Sequence, residues 1–401
     1  MKVLFISSQI FKKSSSASIR NNSLLNGFIK NNVEVDVLTL EYPSAFEDEY
    51  FQENIENKIK VYQSKPKILY KYLEKSSLPV ERNLKLNKRE KTLNKLKIKI
   101  KDLYFFPDMD KEWIKNYNKK VLKNNYDFVI SSSDTKTAHF IARNILKEFN
   151  NETKWIQIWG DPWANDINLN NSQKKKAMYW ESLFIKEAAQ IYYVSKPTFE
   201  MMTNSYPKYS SKMHYMPRTY LTEVQNNNLK KNASTLNLLY TGSLNSNRNT
   251  LNLLNAIKTE NEKLNKYIKL NIFGVCSPEI KAEFKEYKFI TYHGIASYKK
   301  IITEYSRADI LLFIDNGNKT TQIPGKLFDY FGTNIPILAV VEDLESPVTK
   351  FIASTQRSLI LKNTPTDLRI DTIFNLSEQP ILKEYSGETC AKKLIMNMQS
   401  L

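Results

Sequence analysis

Aliphatic and β-branched runs of strand length alternate with amphipathic stretches of helical length from one end of the chain to the other. That alternation excludes an all-β or all-α protein and specifies parallel sheets covered by helices. Strands are expected near Lys2–Ile6, Val33–Leu40, Tyr126–Ser131, Lys154–Trp159 and Gln190–Val194, with helices opening near Ala17, Lys111, Asp134, Gln173 and Lys196. A second series of strands follows near Leu236–Thr241, Ile268–Phe273, Phe289–His293, Ile310–Ile314, Pro336–Val341 and Ser358–Leu361. With 401 residues the chain is longer than one core usually grows. The fold class expected is therefore α/β, two Rossmann-like doubly wound domains, 1–217 and 236–380. The polar stretch 218–235, containing QNNNLKKN, reads as the linker, and 381–401 as a C-terminal helix packing back on the first domain. Open sheets of this kind bind ligands at the carboxyl ends of their strands, so the loops after strands are where function is sought, in a cleft between the domains.

Several classes are set aside by what the sequence lacks. MKVLFISSQ enters a strand directly, without the pattern of a secretory leader, and no run approaches the roughly 20 apolar residues of a membrane span. Only Cys276 and Cys390 occur, far apart, which fits a reducing, cytoplasmic compartment and supports neither a disulfide framework nor a zinc site. The formal net charge of +17 favours phosphate, nucleic acid or anionic membrane partners without choosing among them.

The sharpest chemistry lies in TTQIPGKLFDYFGTNIPIL, from Thr320 to Leu338. Pro324 and Gly325 open a short amphipathic helix with Lys326 and Asp329 one turn apart. Such a helix start, with a lysine, suits phosphate, and the acid suits ribose hydroxyls. An ordinary capped helix with a solvated lysine and aspartate fits the same residues equally well. His139, early in a helix, reads by itself as packed or solvated, and Asp161, just after a strand and before Pro162, reads as a turn former or as an acid facing a hydroxyl. Asp108-Met109-Asp110 has the spacing of a metal-binding pair but follows Pro107 in the wrong kind of fold; no metal site is assigned. His214 and His293 lie at strand ends and read as structural.

These stretches together resemble glycosyltransferase family four, the retaining GT-B enzymes, particularly the polysaccharide and O-antigen branch. IPGKLFDYFGTNIPIL follows that family's nucleotide-binding segment, and LLYTGSLNSNRNTLNLL at Leu238–Leu254 resembles its strand, glycine turn and basic residue. IFG at Ile272–Gly274, ITYHGIAS at Ile290–Ser297 and RADILLFI at Arg307–Ile314 keep the same order. In the first half ASIRNNSLLNGFIKNNVEVDVLTL, FFPDMDKEW, SSSDTKTAHFIA and WGDPW are similar to the branch's segments. The resemblance implies a GT-B fold and transfer of a sugar from a nucleotide diphosphate sugar, with retention of configuration, to a glycan hydroxyl, the glycan lipid-linked at the inner face of the cell membrane. It implies donor contacts from Gly242, Ser243, Arg248, Thr321, Pro324, Gly325, Lys326 and Asp329. Arg248 and Lys326 would stabilise the leaving diphosphate, His139 would touch the donor, and Arg20 and Asp161 would serve the acceptor side. No metal or other cofactor is implied. Thr321 stands where the family often carries a glutamate, and the serine-rich SSSAS replaces its Gly-Gly pair. Those departures keep open a binding partner without turnover, and a sugar-nucleotide epimerase on the same fold is a further alternative.

From Arg82 to Lys101 nine basic residues face one acid, Glu90, and Leu86, Leu93, Leu96, Ile100 and Leu103 recur at helical steps ahead of Tyr104, Phe105 and Phe106. Residues 82–106 therefore read as an interfacial helix on an anionic membrane, or as a solvated helix packing its stripe on its own domain. No nucleic-acid-binding motif accompanies the charge, and no nucleic acid partner is expected.

Overall fold

Two all-parallel sheets carry the chain, as the alternation requires. The structure is a computed structural model that describes all residues except 14, 56–57, 76–105, 150–151, 167–168, 227–233, 246–247, 264–265, 316 and 318–322. The basic helix expected at 82–106 therefore lies outside the described residues, apart from Phe106. The chain divides into two compact units, Met1–Pro217 together with Cys390–Leu401, and Arg218–Thr389.

In the first unit the strands are β1 (Lys2–Ile6), β2 (Glu34–Leu40), β3 (Lys60–Ser64), β4 (Phe128–Ser133), β5 (Lys154–Trp159), β6 (Gln190–Tyr193) and β7 (Met213–Tyr215). Their order is β3-β2-β1-β4-β5-β6-β7. In the second unit β8 (Thr235–Thr241), β9 (Tyr267–Phe273), β10 (Ile290–Gly294), β11 (Ile310–Ile314), β12 (Ile337–Val341) and β13 (Ser358–Lys362) run in the order β10-β9-β8-β11-β12-β13. Each order reverses direction once, between β1 and β4 and between β8 and β11, which is the doubly wound arrangement with its switch point at the middle of the sheet. Central strands such as ILLFI of β11 and ILAVV of β12 are buried at every position, because helices cover both faces.

The segment read as a linker starts inside the second unit. Tyr220, Val224 and Asn226 are buried, the Asn226 amide donates to Asn334 Oδ1 at 2.8 Å, and Tyr220 lies so close to Gly332 that a Cβ there would meet its ring at 2.6 Å. The C-terminal helix Gly387–Gln399 contributes to the first unit, where Asn397 Nδ2 donates to Tyr192 Oη at 3.0 Å and Gln190 Nε2 to the Asn397 carbonyl at 3.1 Å.

Candidate functional site

At the switch point of the second unit β8 and β11 pair only at Ile310 with Leu238 and Leu311 with Leu239, and beyond that the strands part. The Tyr330 hydroxyl fills the break. It accepts from the Thr241 amide at 3.2 Å and donates to the Leu312 carbonyl at 3.1 Å, so backbone groups that lose their ladder partners stay satisfied. Three neighbouring strands then end on glycines in left-handed conformations, Gly242 at φ 118°, Gly274 at φ 131° and Gly294 at φ 74°. At Gly274 the glycine is obligatory twice over, since a Cβ would come within 2.1 Å of the Gly242 carbonyl oxygen. The chain is thus turned tightly away from the ends of these strands.

Lys326 approaches the Gly242 turn from the helix Gly325–Phe331. A Cβ at Gly242 would stand 3.4 Å from its Nζ, and Nζ lies 3.7 Å from the Tyr240 ring centroid. The atom is buried and makes no hydrogen bond. Burial pushes the ammonium well below the usual lysine range, and the nearby Arg248 adds repulsion. Arg248 is itself buried and donates through NH1 to the Ile314 carbonyl at the end of β11. Lys326 Nζ therefore lies within electrostatic reach of the Arg248 guanidinium, and neither side chain has an anionic partner among the described residues, an arrangement that an anionic ligand would relieve.

Asp329 follows one turn after Lys326. It is buried, its Oδ1 has no partner, and burial lifts its carboxyl to about 8, against the pull of Arg218. Ser243 is exposed, with its carbonyl accepting from Tyr240 Oη at 2.9 Å, and Pro324 precedes the helix without a side-chain cap. Thr321 lies outside the described residues.

A raised carboxyl favours folding in its protonated form, so Asp329 contributes stability at low pH that is lost as pH rises from about 4 through about 8. Asparagine cannot ionise and keeps the protonated shape. Asp329→Asn is accordingly expected to melt above wild type by a margin that widens between about pH 5 and pH 8, while the apparent KM for a sugar nucleotide rises and kcat changes little. Melting curves at three pH values, with steady-state kinetics, check both halves; a large fall in kcat at unchanged KM would make the acid part of the chemistry.

In the first unit the corresponding switch point is closed by a polar network. Arg20, on the helix Ser16–Lys30, is 1% exposed; its NH2 donates to Ser132 Oγ at 2.8 Å and to Asn21 Oδ1 at 3.2 Å, and pairs with Asp134. Gly160 makes room for the pair, because a Cβ there would lie 2.6 Å from Asp134 Oδ1. The network joins the helix after β1 to the ends of β4 and β5.

His139 is fully buried. Its Nδ1 shares a hydrogen bond of 2.7 Å with Ser131 Oγ, and its ring centroid lies 4.4 Å from that of Trp159. Burial, with Lys136 nearby, holds its pKa well below the usual histidine range, so it is a neutral ring in an aromatic core. Asp161 is exposed, and its carbonyl accepts from Lys136 Nζ at 2.9 Å. Asp108 caps the helix Thr137–Glu148, accepting from the Thr137 amide at 2.9 Å and hydroxyl at 2.7 Å. Burial and the charge of Asp110 raise it to about 6. The D-x-D spacing is thus used for capping, and among the described residues no group of three or more His, Cys, Asp or Glu is placed to hold a metal. His214 stacks on Tyr192 and His293 on Phe273, at 5.1 and 4.2 Å between centroids.

Two doubly wound, Rossmann-type parallel sheets in tandem define the GT-B fold, and this chain has it. No protein-family model matches the chain, and no curated protein matches it either. Among solved structures, sucrose-phosphate synthase of Thermosynechococcus elongatus aligns over 100% of this chain and 94% of its own at a TM-score of 0.56 and 11% identity. HepE of Anabaena, solved with UDP and glucose, aligns over 100% of both chains at 0.53 and 11%. A UDP-N-acetylglucosamine 2-epimerase aligns over 100% of this chain and 97% of its own at 0.51 and 11%. The likeness is one of fold.

Proposed function

We propose that this protein is a glycosyltransferase that uses a nucleotide diphosphate sugar. The observation that carries the reading is Lys326 Nζ, a buried nitrogen with no hydrogen-bond partner beside the Gly242 turn and Arg248, at the switch point where such sheets bind ligands. A diphosphate would supply the acceptor oxygens that Nζ lacks. The demanding step in glycosyl transfer is departure of the nucleotide diphosphate, so fixed cations at the leaving oxygens do most of the catalysis, without a metal. Arg248 and Lys326 have that role, with Gly242, Ser243, Thr321, Pro324 and Gly325 around the donor and Asp329 accepting from the ribose. On the first unit, exposed Asp161 serves the acceptor hydroxyl, and Arg20 and His139 hold the strand ends that carry it.

The finer reading follows the sequence resemblance: retention of configuration, a lipid-linked glycan acceptor, and a role in cell-surface polysaccharide synthesis at the cytoplasmic face. Among the described residues no helix is long and apolar enough to cross a membrane; peripheral attachment is proposed through the basic, aliphatic stretch 82–106. The fold likeness to a UDP-N-acetylglucosamine 2-epimerase supports a second reading, isomerisation of a sugar nucleotide. Incubating purified protein with a panel of sugar nucleotides, with and without a glycan acceptor, separates them. Acceptor-dependent release of nucleoside diphosphate supports transfer, an altered sugar on an intact nucleotide supports the epimerase, and binding without turnover overturns both.

A further inference from the structure

We propose that the outer face of the helix Asn171–Glu187 docks on an anionic lipid bilayer. Met178 and Tyr179 are 52% and 64% exposed, the only sequence-adjacent pair among the large exposed hydrophobic residues described. Lys175, Tyr179, Ser182 and Lys186, all exposed, recur at helical steps and form one stripe, with Lys174 and Met178 alongside. The face carries no free acid. Glu181 is buried and accepts from the Trp163 and Ala164 amides at 2.9 and 3.1 Å, and Glu187 is bonded to Arg143 Nε and NH2 at 2.6 and 2.8 Å. Lys176 is exposed as well, its Nζ lying 5.6 Å from the Phe106 ring centroid.

The basic surface continues onto the turn Pro207–Lys212, because Lys212 Nζ donates to the Lys186 and Ala188 carbonyls at 2.9 and 2.6 Å and exposed Lys208 sits beside Tyr209. Exposed apolar side chains ringed by lysines, with both acids of the helix already committed, complement a surface that offers negative headgroups above an apolar interior. A second copy of the same face is a poor occupant, since pairing it with itself would set lysines against lysines. The proposal depends on the proposed function only for the expectation of a lipid-linked acceptor.

The test uses the full chain and reads docking, not activity, so its failure leaves the transferase reading intact. Cys276 and Cys390 are buried, so Tyr179→Cys can be labelled selectively with an environment-sensitive fluorophore. Mixed phosphatidylglycerol and phosphatidylcholine vesicles should shift the label's emission to the blue, and acyl-chain spin-labelled lipid should quench it. Phosphatidylcholine alone should do neither. Replacing Lys174, Lys175 and Lys186 by Gln should weaken partitioning about tenfold or more. If the protein sediments with anionic vesicles while the label stays water-exposed, or does not sediment at all, the proposal is overturned. A blue shift that needs only protein concentration, without lipid, assigns the face to self-association and overturns it equally.

Discussion

Lys326→Ala is expected to lower turnover at saturating donor by about a hundredfold, and Arg248→Ala by a similar factor, the usual cost of removing one fixed charge from a developing anion. The two variants should differ in stability, which makes the comparison informative. Lys326 Nζ is buried without a hydrogen bond, so its removal leaves no group unpaired and takes away a desolvated cation. Its apo form should melt at or above the wild-type temperature. Arg248 donates to the Ile314 carbonyl, and deleting it strands that acceptor at a cost of about 1–3 kcal/mol. Slow turnover with an undiminished melting temperature in Lys326→Ala would tie the loss to the reaction. Near-normal turnover in either variant would remove that residue from the assigned role.

Much of this could be read from the chain because central parallel strands are buried on both faces and so appear as unbroken aliphatic runs. Ile310–Ile314 and Ile337–Val341 fall where the runs predict. The strands Lys60–Ser64 (KVYQS) and Met213–Tyr215 were not legible, since outer strands of a sheet are short or half polar and carry little pattern. The helix expected near Lys111 shrinks to Trp113–Asn116, where Asp108 and Asp110 turn inward instead. In the candidate site the spacing of Lys326 and Asp329 was visible, but their burial was not. The rings beneath Lys326 come from Tyr240 and Phe313 on two other strands, and only the sheet order brings β8 beside β11. The engagement of Arg20 was hidden for the same reason, because Asp134 becomes its neighbour only when β4 adds to β1. Local chemistry is written in spacing; the pKa shifts are written in topology.

Arg20→Ala should accordingly act first on stability. The guanidinium is 1% exposed and Asp134 17%, so truncation leaves a largely buried carboxylate facing Gly160 and a hole against Ser132 and Asn21. Breaking a buried pair from one side typically costs about 3–5 kcal/mol. For a unit of roughly 200 residues each kcal/mol lowers the melting midpoint by about 2–4 °C, so a drop on the order of 10 °C is expected in the first unit's transition. Arg20→Lys should recover only part of it, since an ammonium cannot reproduce the forked contact to Asp134, Ser132 and Asn21 together. The double variant Arg20→Met with Asp134→Asn should recover more than either single change, because no unpaired charge remains. Thermal melts of the four proteins, set beside the acceptor KM, distinguish a structural pair from an acceptor contact. If Arg20→Ala melts with the wild type and raises only the acceptor KM, the arginine meets the acceptor directly and the pair with Asp134 is incidental.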